Sequence, residues 1–125
     1  MTMPGPLKIL VVDDEVAIRD LLVEILADEG YLVCAASNGW AAVAMVQRER
    51  PDLMLMDVMM PGLDGPKTLR HLRTLPVPVV VPTVLMSAAH HVTLDGAEAV
   101  AFVSKPFDLV HLLAVVARMI RPARP

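Results

Sequence analysis

The sequence predicts an α/β domain in which a parallel sheet is covered by helices on both faces. Three observations predict it. Short apolar runs alternate along the 125 residues with longer segments of helical period. Runs such as KILVV and LMLM lack polar alternation, as strands buried on both faces do. The apolar fraction of 55% is carried by Leu, Val, Ala and Met, with only four aromatics, so the interior is aliphatic.

Each element has a local cause. A strand from Leu7 to Val12 leads into a helix from Val16 to Asp28, and Gly30 suits the turn that ends it. A strand follows from Leu32 to Ala36. Asn38 then caps a helix from Trp40 to Glu49. The third strand, Leu53 to Met56, precedes a turn in which Asp64 and Gly65 are expected only to shape the chain. Pro66 suits the first turn of a helix running to Leu72. The three prolines of LPVPVVVP cannot all join a ladder, so its first part is loop and the fourth strand spans Thr83 to Met86. A short or irregular helix is expected after His90, then a strand from Val100 to Val103. Asp108 caps a last helix from Leu109 to Ile120. The expected organisation is one domain over residues 7–121, a flexible N-terminus at 1–6, and a tail or truncated linker at 122–125.

Composition narrows the function. No apolar run approaches the roughly 18 residues of a membrane span, and MTMPGPLK lacks the order of a signal peptide, so a cytoplasmic location is expected. With 14 acidic against 11 basic residues and only three lysines, direct nucleic-acid binding by a basic face is not expected. Arg118, Arg121 and Arg124 suit a helix end or linker. Cys34, alone and within YLVCAA, reads as a small core hydrophobe. The scattered His71, His90, His91 and His111 form no transition-metal pattern.

In a parallel sheet, ligand groups gather beyond the carboxyl ends of the strands. The first strand ends in Asp13 and Asp14, the third in Asp57, the fourth in Ser87, and Lys105 lies just beyond the fifth. Three converging carboxylates repel unless a cation joins them, and an all-oxygen set without Cys or His matches a hard ion such as Mg²⁺. Mg²⁺ leaves coordination positions for phosphate oxygens, and a lysine ammonium answers the remaining charge. A carboxylate so placed can attack phosphorus in line and become an aspartyl phosphate; Asp57, alone on the central third strand, is the expected nucleophile.

The segments VVDDE (Val11 to Glu15), MDVMMPGLDG (Met56 to Gly65), LMSA (Leu85 to Ala88) and FVSKPF (Phe102 to Phe107) closely resemble the receiver domain of bacterial two-component response regulators. The likeness covers nearly the whole chain. It implies a flavodoxin-like, doubly wound (β/α)5 fold with five parallel strands in the order 2-1-3-4-5. It also implies that Asp57 accepts phosphate from a histidine kinase or phosphotransfer protein. Mg²⁺ would be held by Asp13 or Asp14, by Asp57 and by the backbone carbonyl of Met59. Lys105 would contact the phosphoryl group, Ser87 would be the switch hydroxyl and Phe102 the switch aromatic. The family pattern also implies a cis bond between Lys105 and Pro106. The output partner is left open, and homodimerisation would use the face of the fourth helix, fifth strand and fifth helix.

The chain also departs from that pattern. Only 18 steps separate Ser87 from Lys105, so the fourth helix is expected to be short or missing, which puts the usual output geometry in doubt. LVHLLAVVARMI is apolar around most of its circumference, more than one solvated face requires. Met59 and Ala89 stand at two positions that tune phosphoryl lifetime in the family, and neither can orient water, so self-dephosphorylation is expected to be slow. Blander readings stand beside these. Ser87 could bond only nearby backbone, Phe102 could be plain core, and Trp40 suits partner contact and packing equally.

The chain is thus read as a switch and not an enzyme, with a phosphorylation-independent docking module as the alternative. An aspartyl phosphatase is disfavoured because Val58 and Met59 offer no second acid after Asp57. A flavodoxin-like electron carrier is disfavoured because no phosphate-cradling loop follows the first strand.

Overall fold

The computed structural model describes residues 5–88 and 100–122. Five strands form one sheet: β1 (Lys8–Val12), β2 (Leu32–Ala36), β3 (Leu53–Asp57), β4 (Thr83–Ser87) and β5 (Val100–Ser104). Every pairing is parallel, in the order β2-β1-β3-β4-β5, as expected. Four helices are described: α1 (Val16–Asp28), α2 (Gly39–Glu49), α3 (Gly65–Arg73) and α4 (Leu109–Met119). The α4 helix is the fifth of the sequence reading. The segment on which a short fourth helix was expected, with Ala89, His90 and His91, lies outside the described residues.

The helices divide into two layers. On one face α1 and α4 cover Ile9, Val11, Leu53, Leu55, Val84, Met86 and Val103 with Leu22, Leu26, Leu112, Val115 and Val116. On the other, α2 and α3 cover Leu10, Val12, Met54, Met56 and Leu85 with Val43, Val46, Leu69 and Leu72. Successive strand residues point to opposite faces, so the unbroken apolar runs feed both layers. Every residue of β3 and β4 is buried, whereas the edge strands β2 and β5 are only partly covered.

Caps fix the helix ends. The side chain of Asn38 accepts from the Ala41 amide at 2.8 Å, and that of Asp108 from the Val110 amide at 2.8 Å. Gly30 has φ +96°, which the turn after α1 requires. Asp64 does more than shape a turn: its carboxylate accepts from the Lys67 amide at 2.9 Å and caps α3, so the helix begins at Gly65. Arg50, at φ 48°, ends α2 in a left-handed conformation. The stretch 74–82 contains neither helix nor strand, so LPVPVVVP is irregular throughout. Outward on α4, Val110 is 78% exposed, so the outer apolar surface anticipated for this helix is present.

Candidate functional site

Strand register builds the site. Val12 pairs with Met56, so the next residues on each strand, Asp13 and Asp57, stand side by side at the carboxyl rim. Ser87 pairs with Ser104, and the following Lys105 amide donates to the Ser87 carbonyl at 2.9 Å. The Lys105–Pro106 bond is cis, in keeping with the resemblance. Asp13, Asp14 and Asp57 each offer a carboxylate oxygen, all within 4.8 Å of one another. Lys105 Nζ lies 3.2 Å from Asp57 Oδ2 and 3.5 Å from Asp13 Oδ2.

Asp13 is wholly buried and its position is fixed by neighbours. Its Oδ1 accepts from the Glu15 amide at 2.9 Å, and its carbonyl accepts from the Arg19 guanidinium at 2.8 Å. Asp57 is buried, and the Met59 amide approaches its Oδ1 at 3.4 Å. Asp14 is exposed. Burial pushes the Asp57 carboxyl above its ordinary value; Lys105 opposes this and Asp13 reinforces it. Burial opposes charge on Lys105, but the carboxylates of Asp13 and Asp57 outweigh it and raise that group above its usual value.

The donor set passes a chemical test for a hard divalent ion. Three carboxylates against one ammonium leave two negative charges uncompensated, and the available ligand atoms are oxygens. Asp13, Asp14 and Asp57 could hold such an ion.

The other expected residues are placed as follows. Ser87 is buried at the end of β4, beside the Lys105 backbone. Met59 is 72% exposed. Phe102, on the edge strand β5, is 47% exposed and is therefore not a plain core residue. Trp40 is 58% exposed and meets His71 edge-on at 5.0 Å. Cys34 is half-buried, and burial raises its thiol, which keeps it protonated.

Two supports were not anticipated. One is Arg19, whose position six residues after Asp13, one turn into the helix, is the only signal the sequence offers. The other is a close brace under the loop that follows Asp57. Thr68 Oγ1 donates to the Asp64 carbonyl at 2.7 Å, and Gly39 lies so near that an added Cβ would fall 2.5 Å from the Leu63 carbonyl and upon Thr68 Oγ1. A cavity of about 510 Å³, lined by Val46, Arg50, Val77 and Arg121 among others, sits at the opposite rim with Asp52 and Pro82 and takes no part in this cluster.

A doubly wound parallel sheet in the order 2-1-3-4-5, with acids and a lysine at its carboxyl rim, defines a flavodoxin-like α/β protein. The response regulator receiver domain model matches residues 9–117. The chain belongs to that family, the receiver domains of two-component signalling. It is 40% identical over 121 residues to the response regulator MprA of Mycobacterium leprae (strain TN), covering 95% of this chain and 53% of the relative. It therefore spans about half the length of the relatives it matches. Among solved structures, the chemotaxis response regulator CheY4 of Vibrio cholerae superposes with a TM-score of 0.82 at 28% identity, covering 93% of this chain and 100% of that one. The receiver domain from the hybrid histidine kinase CckA gives 0.76 at 31% identity, covering 91% and 99%.

Proposed function

We propose that this domain accepts a phosphoryl group on Asp57 in a Mg²⁺-dependent reaction and then changes a protein-binding surface. The observation that carries the reading is the buried Asp57 carboxylate with Lys105 Nζ at 3.2 Å and two further acids within 4.8 Å. The donor is the phosphohistidine of a histidine kinase or phosphotransfer protein. An Asp57 carboxylate oxygen forms a bond to phosphorus as the P–N bond breaks, and the departing imidazole keeps the electron pair and takes up a proton. Mg²⁺, when held by Asp13, Asp14, Asp57 and the Met59 carbonyl, supplies positive charge to the phosphoryl oxygens. Lys105 supplies a second, fixed positive charge. Asp13, anchored by the Glu15 amide and Arg19, holds the cluster in register.

Ser87 is the switch hydroxyl, moving toward the new dianion, and Phe102 follows it from exposure toward the space vacated. The change is a shift between two populated states driven by one added charge. The surface altered is the β5–α4 face, where Phe102, Leu109 and Val110 are exposed. It is the surface through which the domain would homodimerise or meet its output partner.

The test is intact mass after treatment with acetyl phosphate, with and without Mg²⁺. A gain of about 80 Da that requires the metal is expected. No gain under either condition would reject phosphoacceptance and favour the docking module. Phosphate release from the labelled protein should be slow, because the exposed thioether of Met59 cannot orient an attacking water. A lifetime of seconds would contradict that.

Mg²⁺ alone should stabilise the fold. An ion that binds only the folded chain adds about 2.7 kcal/mol at a hundred times its dissociation constant, and chelation should return the midpoint to its starting value. A melting curve indifferent to Mg²⁺ would remove the metal from the reading.

A further inference from the structure

Two helix faces on opposite sides of the sheet carry opposite charge. Along α1, Asp20, Glu24 and Asp28 recur at four-residue spacing, all exposed, one turn beyond Val16, which is 59% exposed. Like charges at this spacing destabilise an isolated helix, so helix stability does not explain the row. None of the three makes an ion pair among the described residues. The one basic residue of α1, Arg19, is engaged with the Asp13 carbonyl.

The opposite face is its complement. On α3, Lys67, Arg70 and Arg73 recur every third residue, and the helix contains no acid. Lys67 and Arg70 are exposed and make no ion pair among the described residues. The capping carboxylate of Asp64 is taken by the Lys67 amide. Beside this row stands the exposed Trp40, held edge-on against His71. Tryptophan and arginine are the residues most enriched where binding energy concentrates. At 1.5 Å per residue the acidic row spans about 12 Å and the basic row about 9 Å, so the two can lie along one another.

We propose that the acidic face of α1 in one copy docks on the α3–Trp40 face of a second copy. Val16 and Leu21, the latter 43% exposed, give the indole an apolar seat within the acidic face. The exposed charges set orientation and salt sensitivity more than strength, so the contact is weak. Because the two surfaces occupy opposite layers, each docked copy keeps its other face free, and the pair presents one acidic and one basic face. The assembly is therefore head-to-tail and open, not a closed pair. It uses none of the Asp57 chemistry and stands apart from it.

Sedimentation velocity of the full chain tests this in about 0.01 M and about 1 M salt, where charges are screened beyond roughly 30 Å and 3 Å respectively. At low salt the average mass should climb past twice 13.6 kDa as concentration rises, without a plateau, and return to monomer at high salt. The variants Lys67→Gln/Arg70→Gln and Asp20→Asn/Glu24→Gln should each be monomeric alone. Mixed equally, they should form a one-to-one complex and nothing larger, since each retains one intact face. Trp40→Ala should weaken association about tenfold. Circular dichroism would establish that each variant folds. A monomer under all conditions, a mixture of variants that stays monomeric, or a dimer plateau that neither variant disturbs would each overturn the proposal.

Discussion

Asp57→Asn is expected to abolish the mass gain from acetyl phosphate completely while making the folded domain more stable in metal-free buffer. The first effect follows from chemistry: an amide nitrogen or carbonyl is not a nucleophile toward phosphorus under these conditions, and the change leaves volume almost untouched. The second follows from the raised carboxyl. Burial disfavours the ionised form, Lys105 offsets this in part, and Asp13 adds repulsion. A group whose folded value exceeds its unfolded value favours folding when protonated, and that contribution is lost as pH rises through the folded value. At neutral pH the ionised Asp57 therefore opposes folding, and Asn removes the opposition. The expected gain is on the order of 1 kcal/mol, or about 3–6 °C in melting temperature for a chain of this size. It should shrink as pH falls through the raised folded value and vanish below about 4, where the carboxyl is protonated in the unfolded chain as well. A variant that still gains mass would mean the phosphoryl group sits elsewhere. A variant less stable than the parent at neutral pH would mean that Asp57 is a net structural contributor.

Gly39→Ala is expected to be the most damaging single methyl addition in the described chain. Its Cβ would meet Thr68 Oγ1 and stand 2.5 Å from the Leu63 carbonyl and 2.8 Å from Leu63 Cβ. Backbone cannot yield as the tip of a long side chain can, so α2 must shift or the loop after β3 must move. Overpacking of this kind costs about 1–3 kcal/mol, which corresponds to a fall of about 3–18 °C in melting temperature. Because that loop carries Met59 and leads from Asp57 to the Asp64 cap, phosphorylation by acetyl phosphate should slow as well. Thermal melts and a labelling time course read both effects. An unchanged melting temperature would show that the two helices are not in the close contact described.

The acid cluster was legible in the sequence because each member sits where an apolar run stops. VVDD and LMLMD mark strand ends without any knowledge of pairing, and the parallel architecture brings such ends to one rim. The order of the strands was legible only through the family resemblance, since nothing within a strand states its neighbour. Asp64 was read as a turn former because LDGP suits a turn as well as a cap. Only the bond to the Lys67 amide distinguishes the two. Phe102 could not be placed from AVAFV, because exposure depends on β5 lying at the edge of the sheet. The brace among Gly39, Leu63 and Thr68 joins residues about 25 to 30 positions apart and leaves no periodic trace.

The pairing of Val12 with Met56 bears on how the sheet finds its alignment. Strands apolar on both sides, such as LMLM, lose little hydrophobic contact if they slide by one position, unlike strands with a wet face, where a slip turns the whole apolar row outward. Here the polar punctuation at each strand end removes that ambiguity. A one-step slide would draw Asp13 or Asp57 down among the buried methionines, away from Lys105, and leave a charge without an answering cation in the oil of the core. The residues assigned to chemistry thereby also act as an index mark, selecting one alignment of the central strands from several of nearly equal apolar quality.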